Sequence, residues 1–209
     1  MNTIPDLKKL EQQTFQSKFS DGLLEITLGL MFLVFSQITW LTDLGWGDFW
    51  SSLIILPAYL LVLGTYWWVK KKVVSPRTGY YRYGEKRKQT LMRFNIIILG
   101  LLTASLLLGI FSLVKFTPGD WGPALGFPLI ILAGFCLAGY FLKIYRLISY
   151  GLLIAGAFVF GEILFRNRLA LHHGVPLAVG TVALIIIIAG LLRLGRFLRD
   201  NRPEPSHDG

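Results

Sequence analysis

Cysteine, histidine and acidic residues are scarce in this chain of 209 residues. The single cysteine, Cys136, cannot form a disulfide within the chain. The three histidines and 12 acidic residues are too dispersed for a carboxylate-bridged metal centre. No Ser-His-Asp set, Gly-rich phosphate loop, zinc motif or haem ligand pair stands out. The sequence therefore predicts no catalytic residue, no cofactor and no metal site, and it favours a non-enzymatic role over an enzyme.

Long polar stretches are also scarce, because the chain is 54% hydrophobic and only 16% charged. Such a composition is typical of membrane proteins. A helix needs about twenty mostly apolar residues to cross a bilayer. Six windows approach that length: 22–42, 49–69, 94–114, 122–142, 148–165 and 174–192. The sequence predicts an all-α fold, namely a polytopic membrane helix bundle with six transmembrane helices in one domain over residues 22–192.

Residues 70–93, here termed the basic segment, form the one long polar stretch between these windows. The segment holds nine Lys and Arg residues and a single acid, Glu85. Cytoplasmic loops of membrane proteins are enriched in Lys and Arg, so we predict that this segment lies in the cytoplasm. If both termini are cytoplasmic as well, 18 of the 21 Lys and Arg residues fall on that side, all except Lys115, Arg166 and Arg168. The tryptophans agree, because each lies near a predicted membrane boundary.

The two ends of the chain are polar. Residues 1–21 are predicted to be a cytoplasmic leader, either a helix on the membrane surface or a solvated segment with some helix. No cleaved signal peptide is expected there. Residues 193–209 are predicted to be a polar cytoplasmic tail. Pro57 and Pro128 fall inside the second and fourth windows, where we expect kinks.

Asp21 and Glu25, here termed the acidic pair, are four residues apart at the cytoplasmic start of the first window. A helix would place them on one face. There they could bind a cation or share a proton, or they could reach water or a basic loop, and the structural role is favoured. A bidentate arginine would stabilise such a carboxylate. We therefore predict that Arg77 or Arg82 meets the acidic pair in an ion network.

The shape predicted for the basic segment supports that pairing. Residues 75–79 place proline and glycine where a tight turn favours them, and residues 80–83 are a short β-prone run. A small hairpin is therefore predicted at 75–83, folded back onto the first helix.

The basic segment also supplies candidate contacts to anionic lipid headgroups. These candidates are Lys70, Lys71, Lys72, Lys86, Arg87 and Lys88. Nucleic acid is not expected as a partner, because no recognised binding motif accompanies the net charge of +9. The expected partners are the lipid bilayer, anionic lipids on the cytoplasmic face, and a membrane or cytoplasmic protein.

Two further polar groups have local explanations. Glu162 and Arg166 are one turn apart in the order that favours a helical ion pair. His172 and His173 are adjacent, so a helix would point them apart, and they are interpreted as loop residues.

Two stretches look familiar together: FSDGLLEITLG at residues 19–29 and PRTGYYRYGEKRK at residues 76–88. They resemble a group of uncharacterised bacterial multi-helix membrane proteins with a similar acidic start to the first helix and a similar P-R-x-G-Y basic loop. The resemblance implies a bacterial cytoplasmic membrane location and carries no activity.

Two functions follow as hypotheses. The first is a non-enzymatic accessory or regulatory membrane protein that presents the basic segment to anionic lipid or to a partner protein. The alternative is a small-solute or lipid transporter that uses the Pro57 and Pro128 helices, with Asp21 and Glu25 as its coupling group.

The predicted topology can be tested by cysteine accessibility in a Cys136→Ser background. Impermeant thiol reagents added outside intact cells should label single cysteines within 43–48 and 166–173 but not within 75–90, because charge asymmetry places the latter inside. Labelling of a cysteine at position 79 from outside would contradict the topology.

Overall fold

A computed structural model describes residues 19, 21–43, 48–78, 89, 92, 95–97, 100, 121–169 and 174–201. These residues are almost entirely helical, and no strand occurs among them. The helices are α1 (Leu23–Asp43), α2 (Asp48–Val69), a π-helical turn (Lys70–Val74), α3 (Ser75–Thr78), α4 (Trp121–Leu142), α5 (Arg146–Arg166) and α6 (Val175–Asp200). The predicted fold class, an all-α membrane helix bundle, is confirmed.

Four helical stretches in the described part of the chain are long and apolar enough to cross a membrane: Leu53–Arg77, Leu125–Leu142, Arg146–Arg166 and Pro176–Asp200. The helix Leu23–Gln37 is apolar but shorter. Helices α1, α2, α4, α5 and α6 coincide with the first, second, fourth, fifth and sixth predicted windows. The third window, 94–114, lies largely outside the described residues, although 95–97 and 100 are helical.

Exposed apolar side chains along the helices agree with a membrane environment. On α2, Leu56, Leu60 and Leu61 are each more than 60% exposed. A soluble protein would rarely leave such a contiguous apolar surface in water, whereas lipid tails solvate it. Hydroxyl groups on these helices are satisfied by the helix itself: Thr65 donates to the Leu61 carbonyl at 2.9 Å and Thr181 to the Leu177 carbonyl at 2.6 Å.

The chain divides into two compact units, the first comprising Met1–Arg82 with Ala183–Gly209 and the second comprising Tyr83–Val182. In the first unit, α1 packs against both α2 and the C-terminal part of α6. The Tyr59 hydroxyl of α2 donates to the Met31 carbonyl of α1 at 3.1 Å. On the α6 side, Gly29 lies so close to Ile187 that a Cβ at Gly29 would approach its side chain to 2.5 Å.

The start of α1 approaches α6 most closely at Gly22. Its φ angle is +79°, a conformation that favours glycine, and a Cβ there would lie 2.3 Å from the Gly190 carbonyl oxygen. A small apolar cluster of Leu23, Val74 and Phe197 closes this end of the unit. The cluster joins the first turn of α1 to the π-helical turn and to the last turns of α6.

The basic segment begins as a helix, so the loop predicted from residue 70 and the tight turn predicted from residue 75 are wrong as far as Thr78. The π-helical turn continues α2, and the Ser75 N–H donates to the Lys70 carbonyl. Pro76 then follows in α3, and its missing N–H falls where the π-helical turn already departs from the regular helical hydrogen-bond pattern. The predicted β-prone run at 80–83 lies outside the described residues.

Helix α6 also runs further than predicted. The polar tail was expected from residue 193, but α6 continues to Asp200. The reason is an apolar stripe of Leu194, Phe197 and Leu198 between the arginines, which packs against the cluster at the start of α1.

The second unit contains a helical hairpin of α4 and α5. Small residues bring the helices together: Gly139 lies against Ile148, and Gly151 lies against Phe135. Phe127 and Phe158 meet edge to face with ring centroids 5.2 Å apart. Pro128 is buried inside α4, and the helix continues beyond it. Pro57 likewise lies inside continuous α2, and the kinks at both prolines stay predictions.

Substituting Gly22 by alanine should destabilise the protein by about 2 kcal/mol or more. The left-handed backbone costs an L-residue about 1–2 kcal/mol, and the new methyl group would also strike the α6 backbone. Thermal unfolding in detergent would measure the loss. Gly64→Ala is the matched control, because a Cβ at Gly64 meets nothing within 4 Å. Equal stability of the two variants would contradict the close contact between α1 and α6.

Candidate functional site

The acidic pair lies at the start of α1, and both carboxylates are buried, with Asp21 1% and Glu25 0% exposed. Asp21 stands just before the helix, and its Oδ1 accepts a hydrogen bond from the Leu23 N–H at 3.1 Å. That contact satisfies one of the backbone donors that every helix start leaves without a partner inside the helix. Glu25 lies in the first turn of α1, and because Gly22 between the two residues is left-handed, helical spacing alone does not set their relative direction as predicted. Both side chains therefore depend on neighbouring segments for a counter-charge.

Two cations from distant parts of the chain supply that charge. Lys70, at the start of the π-helical turn, donates from Nζ to Asp21 Oδ2. Arg193, on α6, donates from Nη1 to Glu25 Oε1 at 2.5 Å. Charge-assisted hydrogen bonds of this kind are the strong ones in proteins. The four side chains, here termed the ion-pair cluster, join α1 to the end of α2 and to α6.

The ion-pair cluster is asymmetric in its access to solvent. The Lys70 side chain is 15% exposed and Arg193 is 37% exposed, whereas the two carboxylates are almost completely covered. Removing one partner of a buried ion pair leaves an uncompensated charge, which is far more costly than losing an exposed pair. The cluster is thus suited to fixing three segments in one arrangement.

The close contact at Gly22 explains how Arg193 reaches Glu25. A Cβ at Gly22 would also lie 2.9 Å from the Cβ of Arg193, so the two backbones almost touch at this level. With no side chain at Gly22 or Gly190, α6 approaches α1 closely enough for the guanidinium to meet a carboxylate one turn along α1.

The side chains of Lys71 and Lys72 point away from the side that Lys70 faces. Both are exposed, and each lies over a tryptophan one turn earlier: Lys71 Nζ is 5.0 Å from the Trp67 ring centroid, and Lys72 Nζ is 5.2 Å from that of Trp68. The two tryptophans are 63% and 52% exposed. Exposed cations stacked on exposed tryptophans are typical of the zone where lipid headgroups meet water. These four residues are here termed the basic surface.

The structure places the predicted site residues as follows. Asp21 and Glu25 form ion pairs, but with Lys70 and Arg193 rather than with Arg77. Arg77 lies in α3 and makes no ion pair with either carboxylate in the part of the chain that is described. Arg82 lies outside the described residues, as do Lys86, Arg87 and Lys88.

Among the predicted lipid contacts, Lys70 is turned inward to Asp21, and its contact with lipid stays a prediction. Lys71 and Lys72 are turned outward. The predicted Glu162–Arg166 ion pair is confirmed, with Arg166 Nε donating to Glu162 Oε1 at 2.8 Å within α5.

Sequence reasoning missed Lys70 and Arg193 as counter-ions. Arg193 was assigned to a tail, although the apolar spacing of Leu194, Phe197 and Leu198 indicates that the helix continues past it. Lys70 was grouped with its two neighbours by charge alone. On any helix, successive residues point about 100° apart, so three consecutive lysines cannot all face the same surroundings.

The fold and these contacts define a polytopic α-helical membrane protein with a charged cluster at the start of α1. No protein-family model, no curated protein and no solved structure matches the chain. In the described residues, no group of three or more His, Cys, Asp or Glu is arranged to hold a metal ion.

A double-mutant cycle on Glu25 and Arg193 should reveal strong coupling. We expect Arg193→Gln to cost about 3–5 kcal/mol, because it leaves a buried carboxylate without this counter-ion. The double variant Glu25→Gln with Arg193→Gln should lose less than the sum of the single losses. Unfolding in detergent is the measurement.

Arg199→Gln is the matched control for that cycle. Arg199 is on the same helix, but its side chain is 74% exposed and 3.5 Å from Asp200. Exposed pairs contribute about 0–1 kcal/mol, so its loss should be small. Additive losses at Glu25 and Arg193 would contradict the coupling.

Proposed function

We propose that this chain is a non-enzymatic accessory or regulatory protein of the bacterial cytoplasmic membrane that holds anionic lipid at the end of α2. The protein would cross the membrane six times with both termini in the cytoplasm. The bacterial location is supported by the family resemblance of residues 19–29 and 76–88, and the orientation by the distribution of Lys and Arg.

The observation that carries this proposal is the division of three consecutive lysines between two roles. Lys70 is used inside the protein, where it neutralises Asp21. Lys71 and Lys72 instead extend outward over Trp67 and Trp68. The protein thus keeps two cations at a tryptophan-marked membrane boundary in addition to the cation that its own fold requires.

The electrostatics of the basic surface favour lipid phosphate. A Lys or Arg near an anionic membrane surface contributes about 1 kcal/mol to binding, and this contribution falls with salt. The indole rings of Trp67 and Trp68 favour the headgroup level, and they hold the ammonium groups there. A cytoplasmic partner protein with an acidic face would meet the same surface.

The ion-pair cluster contributes to this function because it fixes the position of the helix that carries the basic surface. It fixes the end of α2 against α1 at Asp21, and the apolar contact of Val74 with Leu23 and Phe197 fixes the π-helical turn that follows. The basic surface therefore extends from a helix that is anchored on its opposite side.

The double variant Lys71→Gln with Lys72→Gln should lose selective retention of anionic lipid. Two bases at about 1 kcal/mol each correspond to roughly thirtyfold weaker binding. Native mass spectrometry would measure the ratio of retained phosphatidylglycerol to phosphatidylcholine, at low and at high salt during purification.

Arg196→Gln with Arg199→Gln is the control, since it removes two exposed charges from α6 and leaves the basic surface intact. Retention should then stay close to that of the unmodified protein. Equal retention of both lipids by the unmodified protein, or equal losses in the two double variants, would refute a specific lipid site at Lys71 and Lys72.

A further inference from the structure

An apolar groove runs between α5 and the first turns of α6, entirely within the second unit. Its volume is about 440 Å³, which lies in the range of small-molecule sites. Ala157 and Ala178 are buried and form its floor, whereas Phe160 and Leu177 are more than half exposed and form its rims. The walls are held together at the turn before α6, where a Cβ at Gly174 would lie 2.4 Å from the Gly161 carbonyl oxygen.

The lining of the groove favours an apolar ligand. Thr181 is the one polar side chain among the described lining residues, and its hydroxyl donates to the Leu177 carbonyl at 2.6 Å. Its hydrogen is therefore already used. A polar ligand would lose its hydrogen bonds to water on entering, whereas a hydrocarbon chain would not.

The length of the groove matches one leaflet of a bilayer. Along α5 it extends from Gly156 to Leu164, which at 1.5 Å per residue is about 12 Å. Half of a hydrocarbon core about 30 Å thick is about 15 Å. The groove therefore has the depth that one lipid tail spans.

A cationic turn lies at one end of the groove. After α5 the chain folds back over Leu164, whose carbonyl accepts the Leu169 N–H at 2.9 Å. Arg166 in this region is paired with Glu162, so the two charges cancel, and the exposed Arg168 leaves the turn net positive. A negatively charged headgroup would be attracted to this end.

From the shape, lining, depth and charge, we propose that the α5–α6 groove binds one acyl chain of an anionic phospholipid, with the headgroup beside Arg168. The site lies in the second unit and shares no residue with the basic surface. The two proposals can therefore be refuted independently of each other.

Photo-crosslinking tests this assignment. The full-length protein is reconstituted in phosphatidylcholine vesicles with a trace of phosphatidylglycerol that carries a diazirine on one acyl chain, and labelled peptides are mapped by mass spectrometry. Labelling should concentrate on residues 156–164 and 177–182. An excess of unlabelled phosphatidylglycerol should compete at least fivefold better than phosphatidylcholine, and Arg168→Gln should reduce that preference.

Filling the groove provides the decisive variant. A Cβ at Gly156 meets nothing within 4 Å, so Gly156→Leu should enter the groove without displacing the helices and lower its labelling at least fivefold. Gly64→Leu, on α2, has the same open surroundings and should leave groove labelling unchanged. Thermal unfolding of both variants shows whether each is folded.

Three results would overturn the proposal. One is labelling spread evenly over the exposed apolar helices and unaffected by Gly156→Leu, which indicates ordinary bilayer lipid. Another is equal competition by the two unlabelled lipids, which removes the anionic headgroup. The third is weak labelling of residues 156–164 and 177–182 that rises when the protein is diluted in the vesicles, which assigns the groove to a second molecule of this chain.

Discussion

A carboxylate buried at the start of an apolar helix must be neutralised by a cation, and the first unit is organised around that requirement. Asp21 and Glu25 each receive one, from segments that are far away in the chain. Isolated charges in such surroundings are costly, so the segments that supply Lys70 and Arg193 are not free to separate. The two ion pairs therefore hold α1, the turn after α2 and α6 together at the start of α1.

The apolar composition made the fold class predictable, because spans of about twenty residues and internally satisfied backbone groups leave helices as the main solution. The acidic pair was also identifiable, since charges beside apolar spans are rare enough to stand out. Its counter-ions were not. Arg193 is separated from Glu25 by 168 positions, and no local spacing connects them. Only the close approach of α6 at Gly22, a tertiary contact, brings them together.

The ends of the helices were also not predictable from the sequence. Ser75–Pro76 was interpreted as a turn because proline often begins one, yet proline is also compatible with a helix directly after a π-helical turn. Which of the two occurs depends on Val74, whose burial against Leu23 and Phe197 favours continuing the helix. The packing of Val74 thus decided between turn and helix, which the local sequence preference did not.

The π-helical turn at Lys70–Val74 acts as a change of phase in the helix that contains it. It holds one residue more than a regular turn, so every side chain after it is rotated by about 100° from the position that α-helical periodicity would give. Val74, at the end of the turn, faces the apolar cluster, whereas Lys71 and Lys72 lie on the exposed side. The inward and outward faces of the helix around Lys70–Val74 therefore depend on the number of residues in the turn as much as on their identity.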